Sequence, residues 1–273
     1  MSTVPTMQDL LEAGVHFGHQ VRRGHPRMQE YIFGVRDGVH IINLEDSEKL
    51  LQEACAVAHK LGEEGKVLLF VGTKKQAQPI TKELAIRVGA PYVDYKWMAG
   101  ILTNFEEMRR NIKKLQDLQD KQGKGELSHY TKKEQLLITR KLEKFEIEYG
   151  GVVKMEALPD ALFMIDSVAE KTALAEAIRL KIPVIALCDS NSNPALVDYP
   201  IPGNDDATKS IIILTEAIAN SYEEGLKKSR VVKVEGKKED SSAGASVVVP
   251  PAEVAVLEEV VEKEVIKDSK AIV

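Results

Sequence analysis

The chain has 273 residues, enough to bury one good-sized core and still carry an appendage. No run of about 18 apolar residues is present to span a membrane, and the first nine residues have neither the apolar core nor the basic lead of a secretory signal, so none is expected. The net charge of −5 argues on its own against nucleic acid, but it is unevenly placed: residues 231–273 hold six Lys and nine Asp or Glu, while dense basic groups sit at Arg22–Arg27, Lys74–Lys75, Arg109–Lys114 and Arg140–Lys144. Two cysteines, Cys55 and Cys188, are too few for a disulfide framework and fit a reducing compartment.

In chain order, residues 7–13 read as a short helix with Leu10, Leu11 and Ala13 as its apolar positions. The span from Gly14 to Arg27, rich in glycine and with a proline, reads as loop. His40–Asn43 is the first expected strand. Leu44–Leu61 follows as a helix with Leu50, Leu51, Ala54, Val57, Ala58 and Leu61 on one face. Val67–Val71 is the second strand, Gly72–Lys75 turns it into a helix running to about Val88, and Pro91–Asp94 is the third strand.

From Phe105 to Tyr149 the pattern changes. Phe105, Met108, Ile112, Leu115 and Leu118 recur three or four apart, as do Ile138, Leu142, Phe145 and Tyr149, with Gly123-Lys-Gly125 between them as a natural turn. Two amphipathic helices burying these stripes against each other predict an antiparallel hairpin standing off the sheet. Gly150-Gly151 closes it.

The sheet resumes with Ala161–Ile165, a helical stretch, Pro183–Leu187, a polar loop and the extended Tyr199–Pro202. Short strands apolar throughout, alternating with helices about three turns long, are what a parallel α/β sheet covered on both faces requires. A helix from near Asp206 to about Gly225 carries Ile212, Ile213, Ala217 and Ile218. Residues 229–273 read as mostly disordered, with Val254, Leu257, Val261 and Val265 as the one stripe that a marginal helix there would present.

Carboxylates fall at strand ends: Asp166, Asp189, and Asp205 with Asp206. That edge of an open α/β sheet is where ligands bind, so a Mg²⁺-dependent phosphatase-like site is one reading. The preferred one is that these aspartates cap helices or hold turns, as Gly203–Asp206 would before Ala207. No Ser, Cys or Lys nucleophile accompanies them at a telling spacing. Gly72–Lys75 hints at phosphate held by helix-end amides, but neither the P-loop nor the dinucleotide glycine pattern is present, so RNA backbone suits it better than a nucleotide.

His16, His19 and His25 are three potential ligands without a nearby cysteine, so a metal is not the favoured reading; His16, His19, Asp189 and Asp205 are the candidate donors, and no cofactor is expected. Arg109, Arg110, Lys113 and Lys114 form adjacent rows on the first hairpin helix, ordinarily a solvated face. Together with Arg22–Arg27 and Lys96-Trp97 they suggest RNA, since Arg and Lys neutralise phosphates and Trp stacks on an exposed base.

The segments Leu11–His19, Tyr31–Leu44, Phe70–Lys74, Lys96–Asn104, Leu158–Asp166, Ile182–Val184, Asp189–Pro194 and Ile201–Ala207 resemble, in order, the bacterial-type small-subunit ribosomal protein S2 family over roughly residues 5–228. The resemblance implies a flavodoxin-like parallel sheet with a protruding coiled-coil hairpin, and a non-catalytic role. That role is binding small-subunit ribosomal RNA and helping to dock the largest small-subunit protein, which captures messenger RNA. Where the family usually has Arg-Trp-Leu-Gly-Gly, this chain has Lys96–Gly100; lysine keeps the charge but loses the bidentate fork. The tail after Arg230 has no counterpart in the shared pattern.

The resulting expectation is a non-enzymatic, cytoplasmic ribosomal protein with no membrane partner. Residues 1–104 and 150–228 form one α/β domain, 105–149 the inserted hairpin and 229–273 the tail. Arg22, Arg23, Arg27, Lys74, Lys75, Lys96, Arg109, Arg110 and Lys113 are the expected phosphate contacts. Trp97 is either a stacking platform or, slightly preferred, the anchor of the hairpin. The alternatives are a metal-dependent α/β hydrolase using Asp166, Asp189, Asp205 and Asp206, and a protein-docking scaffold.

Overall fold

The computed structural model describes residues 4–124 and 131–240. Residues up to Val231 form one compact unit; the second begins at Val232, and of it only the helical segment to Asp240 is described.

The chain opens with α1 (Met7–Glu12), whose N-cap Thr6 and Asp9 bond each other's backbone in a capping box. It then enters β1 (Phe17–Gln20), two 3₁₀ segments (Val21–Arg23 and Pro26–Tyr31), β2 (Ile32–Arg36) and β3 (Val39–Ile42). These strands form a separate antiparallel sheet in the order β1-β3-β2. The expected loop over 14–27 is thus partly strand, and His40–Asn43 belongs to this small sheet rather than to the parallel one. The β2–β3 turn is Asp37-Gly38, both residues at positive φ (52° and 76°), the backbone that a tight hairpin requires.

After α2 (Leu44–Glu63) comes the main sheet: β4 (Leu68–Val71), α3 (Gln78–Val88), β5 (Tyr92–Val93), α4 (Phe105–Gly123), α5 (Lys132–Tyr149), β6 (Ala161–Ile165), α6 (Lys171–Leu180), β7 (Val184–Cys188) and β8 (Tyr199–Pro202). All pairings are parallel and the order is β5-β4-β6-β7-β8. That is the 2-1-3-4-5 order of flavodoxin-like folds. Helix α7 (Thr208–Asp240) follows. It runs well past Gly225, so residues 229–240 are helical where disorder was expected; 241–273, including the valine stripe, lie outside the described residues.

The uniformly apolar strands are explained by two cores, one on each face. Leu68, Phe70, Ala161, Phe163, Ile165, Ile185 and Leu187 point to one side, where α2, α3 and α7 bring Leu51, Ala54, Leu84, Leu214 and Ile218. Leu69, Val71, Leu162, Met164, Val184 and Ala186 point to the other, against Ala173, Leu174 and Ala177 of α6. Phe70 and Phe163 meet edge to face across β4 and β6, with ring centroids 5.5 Å apart. Met108, Ile112 and Phe145 of α4 and α5 are buried in the second core together with Trp97. The two helices therefore occupy the residues expected of them, and their shared stripe is continuous with the body of the protein; part of their connection, 125–130, lies outside the described residues.

Helices α2 and α7 cross at two glycines. A Cβ on Gly62 would come within 2.4 Å of Tyr222 O, and one on Gly225 within 2.1 Å of His59 O, so only hydrogen fits at either position. Among the described residues, no helix is long and apolar enough to cross a membrane.

Candidate functional site

The strand order reverses between β4 and β6, and in open α/β sheets such a reversal opens a crevice at the carboxyl ends of the strands. Here a side chain fills it. Lys74, on the loop after β4, places Nζ 2.7 Å from Asp166 Oδ2, 2.7 Å from Asp205 Oδ1 and 3.0 Å from Asp206 Oδ1. Burial alone would lower the ammonium's pKa, but the charges and hydrogen bonds of Asp205 and Asp166 outweigh it and hold Lys74 above the ordinary lysine range. It is a fixed cation, unsuited to act as base or nucleophile.

Asp166 is the residue where β6 ends, at φ 68°, and its Oδ1 accepts hydrogen bonds from Val168 N (2.8 Å) and Ala169 N (3.0 Å). This is the turn-holding role expected of it. Before Ala207, however, the same task falls to Asn204, whose Oδ1 accepts from Asp206 N (2.9 Å) and Ala207 N (3.1 Å). Asp205 and Asp206 are left free to face Lys74.

The other half of the site comes from the small sheet. His19 on β1 donates its backbone N–H to Asp189 Oδ1 (3.1 Å) and Ser190 Oγ (2.8 Å). Its ring sets Nδ1 3.0 Å from Asp189 Oδ2 and Nε2 3.5 Å from Asp206 Oδ2. Gly18 makes this approach possible, because a Cβ there would stand 2.9 Å from Ser190 Oγ. The hydrogen bond to Asp189 raises the His19 pKa against the opposing effect of burial, with the charges of Asp189, Asp205 and Asp206 adding to it. Burial, then the charges of Asp166 and Asp189, push the Asp205 carboxyl up to about 8 despite Lys74. Burial also pushes the nearby Cys188 thiol up to about 12, so it stays protonated and unreactive.

The three histidines do not converge. His16 packs its ring 4.0 Å from that of Phe17, and burial lowers its pKa. His25 Nδ1 accepts from Arg27 N at 3.2 Å, and its own N–H donates to Ser190 O at 2.8 Å. Of the three, only His19 joins the acids, and the ligand atoms of His19, Asp205 and Asp206 lie within 4.8 Å of one another.

Most of the remaining basic residues singled out in the sequence face solvent. Arg22, Arg23 and Arg27 are exposed on the 3₁₀ segments between β1 and β2, with Arg22 Nε bonded to Gln20 Oε1 at 2.9 Å. Lys75 and Lys96 are exposed. Arg109, Arg110 and Lys113 are exposed on α4, where they line a groove of about 540 Å³ with Lys154; Glu106 and Glu156 also border it. Lys74 differs: its ammonium is committed to three carboxylates, and the Thr73 amide beside it to Glu170 Oε1 at 3.0 Å, so the expected phosphate cradle at 72–75 is already occupied from within.

Trp97 also departs from the RNA-contact set. It is 8% exposed in the second core, which leaves no ring face for a base, and its Nε1 donates to Glu176 Oε1 at 3.1 Å. The anchor reading is the one that its surroundings fit. Glu176, on α6, was not singled out by sequence reasoning. Its two oxygens also accept from Gly100 N (2.8 Å), Leu102 N (3.1 Å), Thr103 N (3.0 Å) and Thr103 Oγ1 (3.1 Å). The available signal was a carboxylate three residues from Ala173 and one from Ala177, on the helix face that has to be buried.

A family model described as Ribosomal protein S2 matches residues 10–225, a span that takes in every strand of both sheets. The chain belongs to the ribosomal protein S2 family. It is 48% identical over 220 residues to the small ribosomal subunit protein uS2 of Wolinella succinogenes, covering 81% of both chains. To the protein of the same name in Helicobacter hepaticus it is 47% identical over 220 residues, 81% of this chain and 83% of the relative. To that of a Nitratiruptor species it is 44% identical over 241 residues, 88% and 90% of the two chains. The family model's match stops at Gly225, inside α7, whereas the similarity to the Nitratiruptor protein, over 88% of this chain, extends beyond it.

Proposed function

We propose that this chain is a structural constituent of the small ribosomal subunit in the cytoplasm, binding small-subunit ribosomal RNA and neighbouring small-subunit proteins, and helping to dock the large protein that captures messenger RNA. The observation that carries the reading is the family match across residues 10–225, together with relatives named as small-subunit proteins over four-fifths of the chain. The solvent-facing cations supply a chemistry for RNA: Arg22, Arg23 and Arg27 on one segment, and Arg109, Arg110 and Lys113 on α4, present charge to phosphates. In this reading residues 105–149 form an inserted coiled-coil hairpin, 1–104 with 150–228 the α/β body, and Lys75 and Lys96 lesser phosphate contacts.

The metal-dependent hydrolase reading loses its ground at the strand ends. The point on which Asp166, Asp205 and Asp206 converge holds the Lys74 ammonium, and no activated nucleophile stands beside it among the described residues. The test is sedimentation of a cell lysate through gradients at low and moderate salt. The protein is expected to co-migrate with small subunits at both; recovery only from the soluble fractions would refute the assignment.

A further inference from the structure

The acid cluster divides its oxygens in an uneven way. Lys74 takes Oδ1 of both Asp205 and Asp206. The Oδ2 of Asp206 faces His19 Nε2 at 3.5 Å, while the Oδ2 of Asp205, a fully buried residue, has no hydrogen-bond partner among the described residues. A buried carboxylate oxygen with nothing to accept from is a costly feature that folded proteins rarely keep without a use.

We propose that His19, Asp205 and Asp206 bind one zinc-like divalent cation, which ties β1 to the loops that follow β7 and β8. The ligand atoms of these three residues lie within 4.8 Å of one another. The 3.5 Å between His19 Nε2 and Asp206 Oδ2 is close to the edge, about 3.4 Å, of a tetrahedron with the ~2.0–2.2 Å bonds that zinc makes to imidazole and carboxylate. Asp189 supplies the orienting partner: with its Oδ2 3.0 Å from His19 Nδ1, it accepts the proton there and leaves Nε2 with a lone pair that an ion can take up, between Asp206 Oδ2 and Asn191 Nδ2, each 3.5 Å away. This is the carboxylate–histidine–metal arrangement that fixes tautomer and ring orientation.

The surroundings favour the same occupant. Four carboxyl groups, those of Asp166, Asp189, Asp205 and Asp206, gather around the single ammonium of Lys74, an excess of acidic oxygens that suits a divalent cation. An imidazole among the donors selects a borderline metal such as Zn²⁺ over Mg²⁺, which prefers all-oxygen octahedra. The Asp206 side chain is 57% exposed, so water reaches the site to complete the shell. The ion's role is structural: it joins a strand of the small sheet to two loops of the large one.

The test is to strip the purified full-length chain with chelator, titrate it with Zn²⁺ and count equivalents, with Co²⁺ as a spectroscopic stand-in whose visible bands report four-coordination. One tight equivalent is expected, together with a rise in melting temperature on zinc addition. Asp206→Asn, at a half-exposed position that leaves the Asn204 turn intact, is expected to weaken binding at least about 100-fold, beyond what loss of an orienting partner costs. His19→Gln is expected to do the same and to abolish the Co²⁺ bands. The proposal is overturned if the parent chain binds no zinc, or if affinity and stoichiometry are unchanged in Asp206→Asn, which would assign the binding to surface groups such as His59 with Glu63. Equal binding of Mg²⁺, indifferent to His19→Gln, would overturn it as well.

Discussion

Glu176→Gln is the substitution with the sharpest expected cost. The carboxylate accepts five hydrogen bonds, two on Oε1 and three on Oε2, from the backbone and side chains of residues 97–103. Glutamine keeps the shape but only one acceptor oxygen. If that oxygen keeps the Leu102 and Thr103 donors, the new NH₂ confronts the Trp97 indole N–H and the Gly100 amide, and neither finds another partner in the fold. Two stranded donors at about 1–3 kcal/mol each, plus the lost charge assistance on the rest, give a destabilisation of about 3–5 kcal/mol. For a unit of this size that lowers the melting temperature by roughly 10 °C.

Trp97 is the only tryptophan in the chain, so its fluorescence during urea unfolding reports on this knot directly. A loss below about 1 kcal/mol with unchanged Trp97 emission would refute the account. The pH dependence gives a second check. Burial would raise the Glu176 pKa, but the hydrogen bonds from Gly100, Thr103, Trp97 and Leu102 outweigh it and leave it below the usual glutamate value. A lowered carboxyl pKa contributes stability that is present above the unfolded value of about 4.3 and lost as pH falls through the lower folded value. The parent's advantage over Glu176→Gln should therefore be full at neutral pH and shrink in the acid range.

Lys74→Met should cost about 3–5 kcal/mol at neutral pH, because it leaves Asp166, Asp205 and Asp206 facing one another without their cation; urea titration of the two proteins measures the difference. Gly62→Ala should destabilise by about 1–3 kcal/mol or more through overpacking of the α2–α7 crossing, read as a drop in melting temperature, whereas alanine at Gly34, where a Cβ meets nothing within 4 Å, should cost little. Reversing Arg109, Arg110 and Lys113 to Glu should reduce incorporation into small subunits on gradients while leaving the circular dichroism and melting temperature near the parent's; a folded triple variant that incorporates normally would remove α4 from the RNA contacts.

The parallel sheet was legible because its signal is local. Ala161–Ile165 and Tyr199–Pro202 fall on the strands to the residue, and apolar runs this short bounded by turns have few other uses. The small antiparallel sheet was not read from Gly14–Asn43, since its strands are half-exposed and mix glycine with polar residues. Its one strong signal, Asp37-Gly38 between extended residues, is the hairpin dipeptide. The end of α7 was misplaced because Lys- and Glu-rich composition suits an exposed helix as well as a disordered tail. At the strand ends, the gathering of Asp166, Asp189, Asp205 and Asp206 was foreseeable from topology alone. What fills the crevice was not, because Lys74 looks in sequence like any cation after a strand, and its inward turn depends on Asp166, Asp205 and Asp206, all far along the chain. Trp97 was ambiguous for the same reason: only the position of Glu176 decides whether the indole is a platform or a bolt.

The position of β1 has a consequence for how the chain is made. Its His19 amide bonds to Asp189 and Ser190, 170 and 171 residues further on, and Asn204 N donates to Val15 O. A chain synthesised from its N-terminus can therefore pair its first strand with β3 early, but the other side of residues 15–20 stays open until the loops after β7 and β8 have been made. The pairing of β4 with β6 waits likewise for the α4–α5 segment between them to be completed. Closure of these long loops places the native state late in synthesis, after the helices, whose contacts are local, have had time to form. The N-terminal segment is thus the latch of the fold rather than its seed, and truncations at the C-terminal side of the sheet should release the opposite end of the sequence.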